Sequence, residues 1–189
     1  MSERLDPAKT CLVLFDFLVG HVARDPKRYV PVLANTAKIL AAARSRGAMV
    51  AYARADHRPG SHAQTIYDAG ARPPLIMHGT PEAEIVPELA PRPGEQMVPK
   101  LRWSAFHGTD LDRALRGRHV DTIILTGGST EIGVSSTAYA ARDLDYNLII
   151  VTDACTSAKH DVHDQLMREV YPRLARVRNT MQVLEMLAP

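Results

Sequence analysis

Three places in this chain hold side chains or backbone suited to chemistry. Asp16 ends the apolar run Cys11-Leu12-Val13-Leu14-Phe15. Lys100 lies in Val98-Pro99-Lys100-Leu101-Arg102-Trp103-Ser104-Ala105-Phe106. The segment Gly127-Gly128-Ser129-Thr130-Glu131-Ile132-Gly133 reads as a glycine-rich turn that opens a helix. A carboxyl and an ammonium group brought together form an acid-base pair. Amide N–H groups at a helix start gather a negative charge. Each feature has a plainer reading: Asp16 as a loop cap, Lys100 as a solvated charge, the turn as an ordinary connection. Taken together, the three favour a site.

The surrounding pattern says how they would be positioned. An unbroken apolar run such as 11–15 suits a strand buried on both faces of a parallel sheet, with Asp16 at its C-terminal tip. Leu33, Ala37, Leu40 and Ala41 recur at i, i+4, i+7 and i+8, which predicts a helix between Val30 and Arg46, stopped by Gly47. Strands are expected at Met49–Ala53, Ile123–Leu125 and Leu148–Val151, the last leading to Asp153. Helices are expected from Thr109 or Asp110 to Arg116, from Thr130 to Leu144, from His160 to Val170 and from Met181 to Leu187. The Pro-rich stretch from Arg54 to Pro99 reads as a long functional excursion. Strands alternating with helices predict a single α/β domain over residues 1–189: an open, mostly parallel sheet in a Rossmann-like three-layer arrangement with helices on both faces. Ligands bind beyond the carboxyl ends of such strands, the edge to which Asp16, the Gly127 turn and Asp153 all map.

Composition narrows the partners. Apolar residues at 46% and charged residues at 23% give the balance of a compact folded chain rather than a disordered one. The 23 basic and 21 acidic residues are dispersed, which argues against nucleic acid as a partner. The local run Arg113, Arg116, Arg118, His119 closes a helix and complements its dipole. No apolar stretch approaches membrane-spanning length, and Met1–Asp6 lacks the core of a signal peptide, so no membrane association and a cytoplasmic location are expected. Cys11 and Cys155 show no metal or CxxC spacing and read as packed, reduced thiols.

With Asp16, Lys100 and the turn ending at Gly133 in place, the chain resembles the isochorismatase-like hydrolases, a superfamily that includes nicotinamidases and other cysteine amidohydrolases. The resemblance runs from the first strand to Asp153-Ala154-Cys155 and is strongest from Lys100 onward. It implies a triad of Asp, Lys and Cys, with Asp16 and Lys100 in the first two places and Gly133 where the Cys would stand. Glycine there removes the thiolate needed for covalent amide hydrolysis. Glycine also occurs in true isochorismatases, which protonate a vinyl ether and add water; in that scheme Asp16 is the general acid. Such an acid must hold its proton near neutral pH, which a neighbouring ammonium opposes and burial or an anionic substrate favours.

The resemblance further implies a non-proline cis peptide between Gly128 and Ser129, with the amides of Ser129 and Gly133 forming an oxyanion or carboxylate cradle. Arg54, Trp103 and Phe106 are the other expected substrate contacts, although the two aromatics, beside a strand end, fit a place in the core equally well. Asp56-His57-Arg58-Pro59-Gly60-Ser61-His62 falls where nicotinamidases hold a metal, but its spacing does not match; it reads as a polar loop from which His57 or His62 reaches substrate, with no metal or other cofactor. His107, His160 and His163 offer no triad, and Cys155 is not a displaced nucleophile. The expectation is an isochorismatase-like hydrolase of a small anionic or carbonyl-bearing metabolite, working by acid-base chemistry without a cysteine. Arg54 after the second strand favours the general hydrolase branch over isochorismate itself. The alternative is a catalytically silent small-molecule-binding module of the same fold. A homo-oligomer, dimer or tetramer, is implied as well.

Overall fold

The computed structural model describes residues 3–61, 68 and 75–189. Six parallel strands form one sheet: β1 (Thr10–Phe15), β2 (Met49–Ala55), β3 (Gln96–Lys100), β4 (Thr122–Gly128), β5 (Asn147–Thr156) and β6 (Arg176–Arg178), in the order β3-β2-β1-β4-β5-β6. The helices are α1 (Val19–Arg24), α2 (Pro26–Ser45), α3 (Leu111–Gly117), α4 (Ser135–Asp143), α5 (His160–Gln165) and α6 (Thr180–Met186). Alternation along β1 sends Cys11, Val13 and Phe15 into one apolar layer with Leu111, Leu115, Val134 and Ala138. It sends Leu12 and Leu14 into the opposite layer with Tyr29, Ile39, Leu40 and Val183. Covering both faces is what makes the unbroken apolar run of β1 tolerable. The strand order reverses between β1 and β4, and the crevice at such a switch point is where open α/β sheets bind ligands.

Several elements differ from the sequence reading. Helix α2 begins at Pro26, where Asp25 caps it by accepting from the Arg28 N–H. It runs through Pro31 on its exposed side. Its buried stripe is Tyr29, Val32, Leu33, Thr36, Ile39, Leu40 and Ala43, so Ala41 faces outward. Strand β3 lies inside what reads as an excursion: Pro99 conceals it, but β3 is an edge strand, where a missing N–H is tolerated. Strand β5 continues past Val151 to Thr156. Its register against β4 shifts between the pairs Leu125↔Ile150 and Gly127↔Cys155, so the strand bulges over the intervening residues. Asp153 therefore does not sit at the strand tip. It lies within β5 and accepts hydrogen bonds from the N–H and hydroxyl of Thr180, both 2.8 Å, fastening α6 to the sheet. The helix expected from Thr130 opens as a π-turn over Thr130–Val134 before α4 begins. A second π-turn, Leu166–Val170, ends the α5 segment.

Candidate active site

Asp16 follows β1 with φ 54°, a left-handed conformation that a side-chain-bearing residue adopts at a cost of about 1 kcal/mol. The surrounding backbone fixes it. Its N–H donates to Ala53 O and its carbonyl accepts from Leu18 N–H, both at 2.8 Å, with the His21 ring at 3.1 Å from the same carbonyl. So held, the carboxylate turns toward the ends of β2 and β3. Oδ1 accepts from the Ala55 N–H at 2.8 Å, and Oδ2 accepts from Lys100 Nζ at 2.7 Å. Asp16 is 7% exposed and Lys100 5%. Their pairing is thus a buried ion pair rather than two solvated charges. Both carboxylate oxygens take hydrogen bonds from N–H donors, the arrangement of an ionised carboxylate.

The glycine turn stands across the switch point. Gly127 pairs with Phe15 in the sheet at φ 126°. A β-carbon there would lie 2.8 Å from the Phe15 carbonyl carbon and closer still to its oxygen, so only glycine lets β1 and β4 meet at this level. The Gly128–Ser129 peptide is cis. The Ser129 carbonyl accepts from the N–H groups of Ile132 and Val134, which gives the π-turn its shape. Gly133 is buried against the ring of Phe15: a β-carbon at 133 would lie 2.5 Å from Phe15 Cζ and nearer to Cε1. The Lys100 ammonium sits 4.3 Å from the centroid of that same ring.

The remaining expected contacts divide. Arg54 is largely buried beside Asp56, its guanidinium 3.5 Å from the carboxylate, which also receives Arg58 at 3.1 Å and His78 Nδ1 at 2.5 Å. Burial pushes the Asp56 carboxyl upward, but its hydrogen bond and charge interaction with His78, then those with Arg58, outweigh this and hold it below the usual range. The His78 imidazole meets Asp56, a contact that sequence spacing does not suggest; His62 lies outside the described residues. With guanidinium groups on both of its oxygens, Asp56 does not fit a divalent cation. Among the described residues no group of three His, Cys, Asp or Glu is arranged to hold one. Trp103 is 69% exposed. Phe106 stacks its ring on Tyr146 with centroids 5.8 Å apart and packs, partly buried, against the core layer.

Two residues brace the turn: His163, set aside in the sequence for want of a triad, and Tyr171, which the sequence does not single out. His163 Nδ1 is hydrogen-bonded to Thr130 Oγ1 at 2.9 Å, and burial lowers its pKa. The Tyr171 hydroxyl donates to Thr130 O at 2.7 Å and also bonds Ser135, bracing the π-turn from α5 and the segment after it. Contacts across 33 and 41 residues leave no local signal in sequence. Cys155 is buried in β5 with its thiol pushed up to about 12 by burial, the opposite of an activated thiolate.

The chain is similar to known proteins over nearly its whole length. Residues 10–182 match the model of the isochorismatase domain. The uncharacterized isochorismatase family protein YwoC of Bacillus subtilis is 35% identical over 184 residues, covering 96% of this chain and 95% of that protein. Ureidoacrylate amidohydrolase RutB of Pseudomonas syringae is 30% identical over 181 residues, covering 82% of this chain and 74% of RutB. An isochorismatase family protein from Burkholderia thailandensis superposes with a TM-score of 0.88 at 32% identity, covering 97% of each chain.

Proposed function

Because this chain belongs to the isochorismatase family, we propose that it hydrolyses a small anionic or carbonyl-bearing metabolite by acid-base chemistry at Asp16 and Lys100, without a covalent nucleophile. The observation that carries this is the 2.7 Å Lys100–Asp16 pair, buried at the topological switch point opposite a helix-opening glycine turn. The donors favour an assignment of roles other than the vinyl-ether scheme in which Asp16 is the acid. Asp16 receives two N–H donors, so in the resting site it is the base and Lys100 the acid.

Hydrolysis then closes without net proton loss. Asp16 takes a proton from the attacking water, and Lys100 gives one to the leaving group. The proton on Asp16 passes back to Lys100 along their hydrogen bond. Amides of Ser129 and Gly133 at the start of the π-turn would hold the developing negative oxygen. The guanidinium groups of Arg54 and Arg58 share the single carboxylate of Asp56, a cationic surplus next to the residue whose N–H holds Asp16; this supports an anionic substrate. One relative is by name an amidohydrolase of ureidoacrylate, which favours the carbonyl-bearing class. With Gly133 in this chain, water rather than a side chain must attack.

A silent binding module remains the second reading, favoured by Phe15 filling the space beside Gly133. A panel of small carboxylates, ureido acids and vinyl ethers, assayed for turnover and for binding, separates the two. Hydrolysis that survives pretreatment with iodoacetamide is expected. Tight binding of a panel member with no turnover of any supports the silent module, and turnover abolished by thiol alkylation overturns the acid-base proposal.

A further inference from the structure

We propose that Phe15 is a positioning residue of this site: its ring fills the space a side chain at 133 would need and holds the Lys100 ammonium in place against Asp16. Phe15 ends β1 immediately before Asp16, and its side chain is 1% exposed. Two independent contacts converge on its ring. From α4's side, the backbone of Gly133 approaches so closely that even a β-carbon would lie 2.5 Å from Cζ and 3.4 Å from Cδ1. From β3's side, Lys100 Nζ stands 4.3 Å from the ring centroid while donating to Asp16 Oδ2.

These contacts have a common physical meaning. A buried ammonium has three N–H groups to satisfy, and in this pair the carboxylate takes one of them. The negative face of an aromatic ring partly replaces the water the ammonium has lost, and does so without offering it a competing proton acceptor. An aliphatic side chain of similar bulk would fill the space but leave the ammonium's remaining side bare. Gly133 is therefore more than the place of a missing nucleophile. Bulk at 15 and its absence at 133 are one structural choice, and a side chain at 133 requires a smaller residue at 15. The inference rests on Asp16 and Lys100 being the working pair, but its test needs no substrate, so failure to find turnover and failure of the inference are separate results.

The space claim is read by thermal denaturation of four proteins: wild type, Gly133→Ala, Phe15→Leu and the double variant. Replacing a helical glycine by alanine ordinarily stabilises. Here Gly133→Ala is expected to lower Tm by roughly 5–10 °C. In the Phe15→Leu background it is expected to cost less than half as much. An unchanged or raised Tm for Gly133→Ala alone, or an equal loss in both backgrounds, overturns the claim. The positioning claim is read from a crystal structure of Phe15→Leu, with Phe15→Met as the second variant should the first fail to fold. Lys100 Nζ is expected to leave hydrogen-bond distance of Asp16 or to recruit a water in place of the ring. An ammonium whose position and bound waters match those in a wild-type crystal structure solved alongside overturns it.

Discussion

At the residue scale, the candidate site turns on one buried charge pair. Lys100 and Asp16 are each less than a tenth exposed, so removing one partner leaves the other charged and unpaired in a poorly solvated place. Asp16→Asn or Lys100→Met is expected to cost about 3–5 kcal/mol. The double variant Asp16→Leu/Lys100→Met is expected to recover part of that loss, because no bare charge remains; urea denaturation of the three proteins measures it. His163 gives a separate expectation. Its folded pKa lies below the unfolded value, so the neutral ring is favoured in the native protein. Stability from this group is complete above the unfolded pKa of about 6.5 and falls as the pH drops from there toward the folded value. Tm should decline between pH 7.5 and 5.5 more steeply in the wild type than in His163→Gln, and equal slopes would remove His163 from the account. Asp16, Lys100 and Gly133 were legible because each sits beside a local pattern. Phe15 and His78 were not, since their roles come from contacts with Lys100, Gly133 and Asp56 that no spacing reveals.

The elements explain why the site has the shape it has. β1 and β4 approach at Phe15 and Gly127 closely enough that a side chain on Gly127 would strike the Phe15 backbone, at a φ of 126° that other residues rarely adopt. Gly127→Ala is expected to cost about 3 kcal/mol or more, or to prevent folding, which expression yield and circular dichroism would show. A variant as stable as the wild type would contradict the described register. Apolar runs and caps made β1, β2, β4 and most helices readable. β3 was hidden because Pro99 argues against a strand unless its edge position is known. The extension of β5 was hidden because the bulge moves Asp153 off the tip and gives it to Thr180. The exposure of Ala41 shows the limit of periodicity: a four-residue stripe on an alanine-rich helix fits two adjacent faces, and large residues such as Tyr29 and Ile39 decide which is buried.

For the whole molecule, one parallel sheet wrapped on both faces delivers Asp16 from β1, Lys100 from β3 and the glycine turn from β4 to the same edge. No helix among the described residues is long and apolar enough to cross a membrane. Beside the candidate site, Leu101, Trp103 and Ile132 are exposed, as is Tyr139 on α4. Exposed apolar side chains of this kind support the expectation of a homo-oligomer. Light scattering is expected to give a multiple of 20.8 kDa, and Trp103→Asp to shift it toward the monomer; a wild-type monomer at micromolar concentration contradicts it. The most direct test of the central claim is kcat/KM of Asp16→Asn against wild type on the first substrate found, with folding checked by circular dichroism. A folded variant slowed at least about a hundredfold is the expected result. A folded variant that retains wild-type kcat/KM would show that Asp16 is not the base and that the chemistry lies elsewhere.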